Sequence, residues 1–378
     1  MKRVYADSAA TVRPFPAAVE AAERAMREYA NPSAAYENAG RARRILESSR
    51  ALIAEAVNAA PEEIYFTSGG SEGNCLALFG AAFLLPPERR RIACGAIEHA
   101  SVLEPVRRLE KLGFPVTWLA PDREGKYDPD RIGKELPPDT GLAALMSAQN
   151  EVGTLEPTEE LGELFEKRGI LFHADAVQSV GRLPVDAGRS KASFLTASAH
   201  KFGGIKGAGF LYIRKGTPFL PPFGGGGQER GVRPGTENLP GVAAMAAALS
   251  ESVLHMEEER KRLSALAREI DRAVLALPGA EKTGSPDERL PGFLSYYFAG
   301  IDGEALVHAL DLLGVDAAAG AACRSGKGEV SPVPGALGYT GGGALRVTLG
   351  YENGPEDAKL LAERIPRAVF LLRDAADK

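Results

Sequence analysis

The sequence predicts an α/β protein with a mostly parallel central sheet, followed by a smaller α+β unit. Through the first two-thirds of the chain, short apolar runs alternate with helical stretches rich in Ala, Glu and Arg. This order is typical of parallel strands joined by crossover helices. A Gly- and Pro-rich stretch at residues 218–240 then interrupts the alternation. The length of 378 residues is enough for about two domains.

Each predicted element follows from local periodicity and from the Gly and Pro residues that punctuate it. The first part of the chain has helices at residues 17–29, 39–58, 103–112 and 159–167, and strands at residues 63–67, 91–94, 116–119, 141–147 and 170–173. The second part has a long helix at residues 242–277, strands at 293–298 and 345–349, and helices at 304–313 and from 355. We expect a large domain at residues 13–245 and a small domain combining residues 1–12 with 246–378.

Composition excludes several classes of protein. The net charge of −5, without a long basic run, gives no support for binding to nucleic acid or to a membrane surface. Three cysteines, Cys75, Cys94 and Cys323, form neither a disulfide framework nor a paired zinc motif, so no metal site is predicted. No apolar run approaches the ~18 residues of a membrane span. The N-terminus lacks a signal-peptide core, and we expect a cytoplasmic protein.

A glycine turn at residues 68–72 follows a predicted strand and opens a helix. Glycines let the backbone approach an anion, and a helix N-terminus offers free N–H groups to it. Gly70 and Ser71 are therefore candidate phosphate ligands, and Ser71 is also the expected N-cap. The turn matches neither a Walker loop nor a dinucleotide fingerprint. A plain strand-to-helix turn is the alternative.

An aspartate ends another strand, in His173-Ala174-Asp175-Ala176-Val177-Gln178. A carboxylate behind apolar residues is costly to bury without a cationic partner. A protonated pyridine nitrogen is such a partner, because pyridoxal 5′-phosphate (PLP) needs that charge to act as an electron sink. Gln178 is then within reach of the ring hydroxyl. The alternative is that Asp175 caps a following helix.

A lysine follows a small, apolar segment in Ser198-Ala199-His200-Lys201. A lysine that is partly buried near another cation loses proton affinity and can form a Schiff base with a carbonyl compound. Ser198 and His200 are spaced to bind a phosphate. Considered alone, such a lysine is usually a solvated loop residue, so the interpretation depends on the other motifs.

Three further residues are candidates for chemistry. His99, just past a strand, can stack on an aromatic ring and move protons, or simply start a helix. Cys323 lies in a loop of small residues next to Arg324, which suits a thiolate nucleophile; an inert small residue of the loop is the alternative. Arg346, inside an apolar strand, suits a substrate carboxylate or a buried structural ion pair.

Together and in this order, these segments resemble the cysteine desulfurases of the class V aminotransferase superfamily. The resemblance spans nearly the whole chain, and the Ala-Cys-x-Ser-Gly form is similar to the group used for iron–sulfur assembly. The matching segments are Tyr5-Ala6-Asp7-Ser8-Ala9-Ala10-Thr11, Asn31-Pro32-Ser33, Thr67-Ser68-Gly69-Gly70-Ser71-Glu72, Ile97-Glu98-His99, Asn150-Glu151-Val152-Gly153, His173-Ala174-Asp175-Ala176-Val177-Gln178, Ser198-Ala199-His200-Lys201, Gly226-Gly227-Gln228-Glu229-Arg230, Gly235-Thr236-Glu237-Asn238 and Ala322-Cys323-Arg324-Ser325-Gly326.

The resemblance implies a fold-type I PLP-dependent homodimer with each active site at the subunit interface. It also implies the conversion of L-cysteine to L-alanine, with the sulfur carried as a persulfide to an acceptor protein for iron–sulfur assembly or thiolation. The implied contacts with the PLP ring are covalent attachment for Lys201, stacking for His99, pairing with the pyridinium for Asp175 and contact with the ring hydroxyl for Gln178. Phosphate binding is implied for Gly70, Ser71, Ser198, His200 and the partner subunit's Thr236. Substrate binding is implied for Asn150 and Arg346, and sulfur acceptance for Cys323.

The chain departs from the family's usual residues at Tyr36, Ile205 and Pro234, and residues 327–339 match the family poorly. These differences bear on the sulfur acceptor more than on PLP binding. A selenocysteine lyase or another PLP enzyme of the superfamily would share Lys201 and Asp175. A scaffold that binds a partner without catalysis is the non-enzymatic alternative.

Overall fold

The fold is described from a computed structural model of the chain, which covers residues 2–320 and 331–376. The strands are β1 (Val4–Tyr5), β2 (Ile64–Thr67), β3 (Arg91–Gly95), β4 (Val116–Leu119), β5 (Thr140–Met146), β6 (Leu171–Asp175), β7 (Phe194–Ser198), β8 (Gly209–Ile213), β9 (Ala280–Lys282), β10 (Phe293–Ala299), β11 (Val315–Asp316) and β12 (Gly342–Thr348). The helices are α1 (Pro16–Arg27), α2 (Glu37–Ala56), α3 (Gly70–Ala82), α4 (Ala100–Lys111), α5 (Pro129–Glu135), α6 (Thr158–Lys167), α7 (Leu239–Val274), α8 (Gly303–Leu312), α9 (Pro332–Ala336) and α10 (Pro355–Ala376).

A seven-stranded sheet in the order β2-β8-β7-β6-β5-β3-β4 forms the centre of the protein. Strands β4, β3, β5, β6 and β7 are parallel, and β8 runs antiparallel to both β7 and β2. Every residue of β5 and β7 is buried, as expected for parallel strands covered on both faces. The predicted mostly parallel α/β fold is therefore confirmed, while β7 and β8 are the two strands of this sheet that the sequence analysis did not predict.

Parallel pairing brings the carboxyl ends of four strands to one edge of this sheet. Met146 at the end of β5 is in register with Asp175 at the end of β6. The end of β3 lies on the other side of β5, and that of β7 lies beside β6. Ligands of open α/β sheets bind outside such strand ends. The turns after β3, β5, β6 and β7 are therefore the places to look for a site.

A second, smaller unit has its own core. Strands β12, β10 and β9 form an antiparallel sheet, and β1 pairs with β11. Val4 and Ala6 from the N-terminal segment are buried with the C-terminal half of α7, with α8 and with α10. The N-terminal half of α7 packs instead in the core of the large sheet, against α1 and α2. The exact division of the chain at residue 245 stays a prediction.

Helix α7 is a single helix of 36 residues that begins slightly before the predicted residue 242. It starts where the Asn238 side chain accepts a hydrogen bond from Gly241 N, with Pro240 in the first turn. Among the described helices, only α7 is long and apolar enough to cross a membrane, judged by length and composition. Half of its most apolar stretch is buried within the protein, as in the core helix of a domain.

The start of α3 corrects one sequence prediction. The N-cap of α3 is Gly69 and not Ser71, which lies inside the first turn. Gly69 has φ of 149°, a conformation that side-chain-bearing residues rarely adopt, so the chain enters the helix earlier than a serine cap would allow. The Glu72 side chain accepts a hydrogen bond from Ser68 N and covers the preceding turn.

A buried ion pair fixes the Gly-rich stretch that follows β8. Arg50 on α2 makes two 2.8 Å hydrogen bonds to the Glu229 carboxylate, which also accepts a bond from Phe66 N. Both charged side chains are almost fully buried. Glu229 and Arg230 have positive φ values of 46° and 56°. The ion pair therefore holds a strained turn against the edge of the sheet.

We predict that Glu229→Ala destabilises the protein by about 3–5 kcal/mol. It removes the buried partner of Arg50, whose remaining carboxylate partner is the half-exposed Glu47, and it leaves Phe66 N without its acceptor. The measurement is urea unfolding of the apo protein. Glu104→Ala is the control, because its pair with Arg107 is about half exposed and is worth at most about 1 kcal/mol. Equal losses of stability in the two variants would contradict the assigned role of the buried pair.

Candidate active site

One cavity of about 200 Å³ lies at the carboxyl ends of the central strands. Almost every binding or catalytic residue proposed from the sequence contributes to its wall. The lining includes Gly70, Ser71, His99, Asn150, Asp175, Gln178, Ser198, His200 and Lys201, together with Ser101, Met146, Ala148 and Val177.

The N-terminus of α3 forms the anion-binding wall of this cavity. A Cβ at Gly70 would lie 2.8 Å from a methyl group of Val177, so only glycine allows this close approach. Ser198 lies beside the same turn, at the end of β7. Burial, and then the neighbouring Lys201, lower the pKa of His200 to about 4. His200 is therefore neutral near pH 7 and can offer an N–H group to a phosphate.

Asp175 presents a buried carboxylate at the end of β6. One oxygen accepts a 2.8 Å hydrogen bond from Asn74 Nδ2, and the other accepts a 3.0 Å bond from Val177 N. The chain continues from β6 through turns and not into a helix, so the helix-cap alternative is wrong. Asp175 forms no ion pair with the described lysines and arginines. A buried carboxylate in this state is suited to a cation that the protein itself does not provide.

Lys201 is not a solvated loop residue. Its Nζ donates hydrogen bonds of 2.6 Å to Ala9 O and 3.0 Å to Ala10 O. Burial first, and then the Arg182 and Arg346 guanidinium groups, lower the pKa of the Lys201 ammonium to about 8. A substantial fraction of the amine is therefore unprotonated at mildly alkaline pH, and the unprotonated amine is the form that attacks a carbonyl carbon.

His99 is the N-cap of α4, as the helix-start alternative anticipated, and it also lines the cavity. Its Nδ1 accepts a 3.1 Å hydrogen bond from Ser101 N and lies 2.8 Å from Ser101 Oγ. Because Nδ1 accepts a bond from a backbone N–H, the ring proton is on Nε2. His99 can therefore cap α4 and contact a ligand in the cavity at the same time.

Arg346 combines the two roles considered for it. Its Nη2 donates a 2.6 Å hydrogen bond to Asp7, which is the buried ion pair. Its Nη1 donates to Asn150 O at 2.9 Å, next to the cavity. The buried Nε has no partner among the described residues. Arg346 does not line the cavity of about 200 Å³. It is held beside Asn150, in the wall of a smaller neighbouring pocket, with one N–H group left unused by the described residues.

Besides Arg346, two predicted site residues are not found in the cavity wall. Thr236 is exposed and lies outside the cavity wall. Cys323 lies outside the described residues. The residues on either side of that segment are described: Ser331 Oγ donates a 2.9 Å hydrogen bond to Glu151 Oε1, and Gly320 lies against the same carboxylate. Gly320 and Ser331 thus both lie against Glu151, the residue that follows Asn150.

Sequence reasoning missed several residues that support the cavity. Asn74, one turn after Gly70 on α3, is fully buried and bonded to Asp175. The only signal available was a polar residue on an otherwise apolar helix, on the same face as Gly70. Arg182 donates hydrogen bonds to Ser8 O and Lys201 O and lowers the pKa of Lys201. Nothing in its local sequence distinguishes it from a surface arginine.

The sequence analysis also did not identify Glu98 as a residue with a possible chemical role. One oxygen accepts a 2.8 Å hydrogen bond from Met146 N, so Glu98 ties the turn after β3 to the end of β5. The other oxygen is buried without a partner among the described residues. Burial, and then the charges of Asp175 and Glu156, raise the pKa of Glu98 well above its ordinary value. Burial therefore favours the neutral carboxylic acid form of Glu98.

We predict that Glu98→Gln becomes increasingly more stable than the wild type as the pH rises. The unfolded Glu98 side chain releases its proton near pH 4.3 and the folded one at a much higher pH. The wild type therefore loses stability with rising pH, by up to tenfold in the folding equilibrium constant per pH unit. Denaturant unfolding of the apo protein between about pH 5 and pH 8 measures the difference. Glu104→Gln, exposed on α4, is the control, and a pH-independent difference would show that Glu98 is ionised.

The residues of the cavity fit PLP. Asp175 lacks a cationic partner where a pyridinium nitrogen would supply one. Gln178 Oε1 is buried without a partner among the described residues and can accept a bond from the ring hydroxyl. The Gly70 turn leaves room for a phosphate, and Lys201 supplies the amine for covalent attachment.

Comparison with known proteins agrees with this geometry. The model of the class-V aminotransferase family matches residues 4–361. The chain is 40% identical to cysteine desulfurase IscS of Dictyoglomus turgidum, over 99% of this chain and 96% of that protein. It is 37% identical to cysteine desulfurase IscS of Methanosarcina thermophila, over 99% and 93% of the two chains.

Solved structures give the same result. A NifS-like protein superimposes with a TM-score of 0.91 at 32% identity, covering 98% of this chain and all of the other. SspA, in a complex with cysteine, superimposes with a TM-score of 0.80 at 29% identity, covering 92% and 99%. The matches extend over both the large sheet and the small unit. The chain therefore belongs to the class-V aminotransferase family and is a PLP-dependent enzyme related to the cysteine desulfurases.

Proposed function

We propose that the protein is a cysteine desulfurase, which converts L-cysteine to L-alanine and transfers the sulfur as a persulfide to Cys323. One observation carries the proposal. Lys201 and Asp175 line one cavity, Arg346 is hydrogen-bonded to Asn150 O beside it, and Gly320 and Ser331, on either side of the segment containing Cys323, lie against the neighbouring Glu151. The names of the relatives support the same reaction.

When bound, PLP supplies a ring that withdraws electrons from the α-carbon of an attached amino acid. Asp175 contributes the negative charge that keeps the ring nitrogen protonated. Lys201 would hold the cofactor through its amine, and the same amine would serve as the base for the α-proton of the substrate. The low pKa of Lys201 suits both tasks, because each requires the unprotonated amine.

Arg346 binds the carboxylate of cysteine in this proposal. Its guanidinium is fixed by Asp7 on one side and by Asn150 O on the other. A planar, fixed guanidinium recognises a carboxylate with defined orientation. The substrate's side chain then extends towards Glu151, where the residues that flank the Cys323 segment are anchored.

The sulfur step conserves atoms and electrons. The Cys323 thiolate attacks the sulfur of cysteine, an S–S bond forms and the bond between Cβ and sulfur breaks. The electron pair of that bond stays with the carbon skeleton, which takes up a proton and leaves as alanine. Cys323 keeps the persulfide for transfer to an acceptor thiol.

We also propose the setting of this reaction. The enzyme is a cytoplasmic homodimer, and the acceptor is a scaffold protein of iron–sulfur assembly or a thiolation protein. The exposed position of Thr236 supports the dimer, since on this protomer Thr236 is available to the phosphate site of a neighbour. The low net charge and the absence of a paired cysteine framework in the sequence support a reducing compartment.

We predict that Cys323→Ser keeps the visible absorbance of bound PLP and loses alanine formation from cysteine by at least about a hundredfold, because the sulfur has no thiolate to receive it. Mass spectrometry of the wild type after incubation with L-cysteine should find the persulfide on Cys323. Cys75→Ser is the matched control, as Cys75 lies on α3 outside the cavity wall.

An unchanged rate of alanine and sulfide formation by Cys323→Ser would mean that Cys323 is not the nucleophile. A rate that falls for cysteine but not for selenocysteine would identify the selenocysteine lyase alternative. Purified protein without a visible absorbance band after PLP addition would favour the non-catalytic scaffold.

A further inference from the structure

We propose that Asn74 is a positioning residue for PLP chemistry, and that its single side-chain amide fixes both the Asp175 carboxylate and the His99 ring. Asn74 lines no part of the cavity wall, so it acts through these two neighbours. The inference rests on the PLP-binding part of the proposed function and not on the sulfur step.

The contacts of Asn74 use its whole amide group. The side chain is fully buried on α3. Its Nδ2 donates to Asp175 Oδ2 at 2.8 Å and to Ser101 Oγ at 2.9 Å. Its Oδ1 lies 2.9 Å from His173 Nε2. An amide has two donor hydrogens and one acceptor oxygen, and each of these is engaged.

These contacts set the direction of every hydrogen bond in a chain of four side chains. Asn74 Oδ1 can only accept, so His173 Nε2 carries a proton and donates it. Ser101 Oγ accepts from Asn74, so its own hydrogen is free to point to His99 Nδ1, 2.8 Å away. The chain therefore runs from His173 through Asn74 and Ser101 to His99.

The consequence for His99 is a ring held from two sides at Nδ1. The backbone N–H of Ser101 already donates to that nitrogen, and the hydroxyl directed by Asn74 adds a second donor. Two donors fix the plane of the imidazole and keep the proton on Nε2. A ring fixed in this way is ready to stack on a cofactor without reorganising.

The consequence for Asp175 is a carboxylate fixed in orientation. Asn74 and Val177 N each donate to a different oxygen, which sets the plane of the group. The network is cooperative because the donors polarise one another in a buried environment. Loss of the amide would leave both cofactor-contacting groups with fewer constraints.

The test compares Asn74→Leu and Asn74→Asp with the wild type. Leucine keeps the packing volume and removes the amide. Aspartate keeps the shape and the acceptor towards His173 but replaces the donor with a charge next to Asp175. We expect both to weaken PLP binding about tenfold or more, measured by equilibrium dialysis of the folded apo protein. Asn38→Asp, on the exposed face of α2, is the matched control.

A second readout does not depend on PLP. The protein has five histidines, so ¹⁵N-labelled histidine gives a simple spectrum of the apo form. We expect the His99 Nδ1 resonance to move in both Asn74 variants and in Ser101→Ala, which removes the hydroxyl that links Asn74 to His99. Ser101→Ala should weaken PLP binding by less than the Asn74 variants do, because it leaves the bond between Asn74 and Asp175.

A merely structural role gives a different result. In that case Asn74→Leu lowers the unfolding midpoint while the remaining folded protein keeps its PLP affinity and its His99 resonance, and the proposal is overturned. If Asn74→Leu does not fold, Ser101→Ala and Asn74→Asp still decide through the His99 resonance. A failure of persulfide formation would leave these outcomes unaffected, so the two proposals fail separately.

Discussion

The rest of the site depends on one buried carboxylate that has no cation of its own. Asp175 ends the central strand β6, and its two oxygens accept hydrogen bonds from Asn74 and Val177 N. Burying a charge in this way is unfavourable unless a partner arrives. A protonated pyridine ring is such a partner, and the same pairing makes the ring an effective electron sink. Cofactor binding and catalysis therefore share one electrostatic cause.

The parallel sheet delivers the remaining groups to this carboxylate. Strand β3 leads to His99, β5 leads to Asn150, and β7 leads to Lys201. The N-terminus of α3 adds an anion site on the same edge. The Asp175 carboxylate, which suits the cationic ring, and the backbone N–H groups of α3, which suit the phosphate, thus lie in different parts of the cavity wall. Arg182 and Arg346 supply positive charge near Lys201, which together with burial lowers its pKa.

The sequence predicted the parts of this site that depend on local order. Glycines, Asp175 and Lys201 stand directly after strands, and a parallel sheet must bring such positions together. The side-chain contacts between distant segments were not predictable. Asn74 and Asp175 are separated by about a hundred residues of chain, and Glu98 and the end of β5 by about fifty. Ser71 was misplaced as the N-cap because the positive φ of Gly69 starts the helix earlier. The roles of Thr236 and Cys323 still rest on the family resemblance.

The most direct measurement is the gain in unfolding midpoint on adding PLP, compared between the wild type and Asp175→Asn. Ligand binding to the folded state raises stability in proportion to its affinity. The account predicts that PLP raises the midpoint much less in the variant, because asparagine carries no charge to pair with the cofactor's ring nitrogen. Equal gains in the two proteins would contradict the claim that Asp175 is reserved for the cofactor's charge.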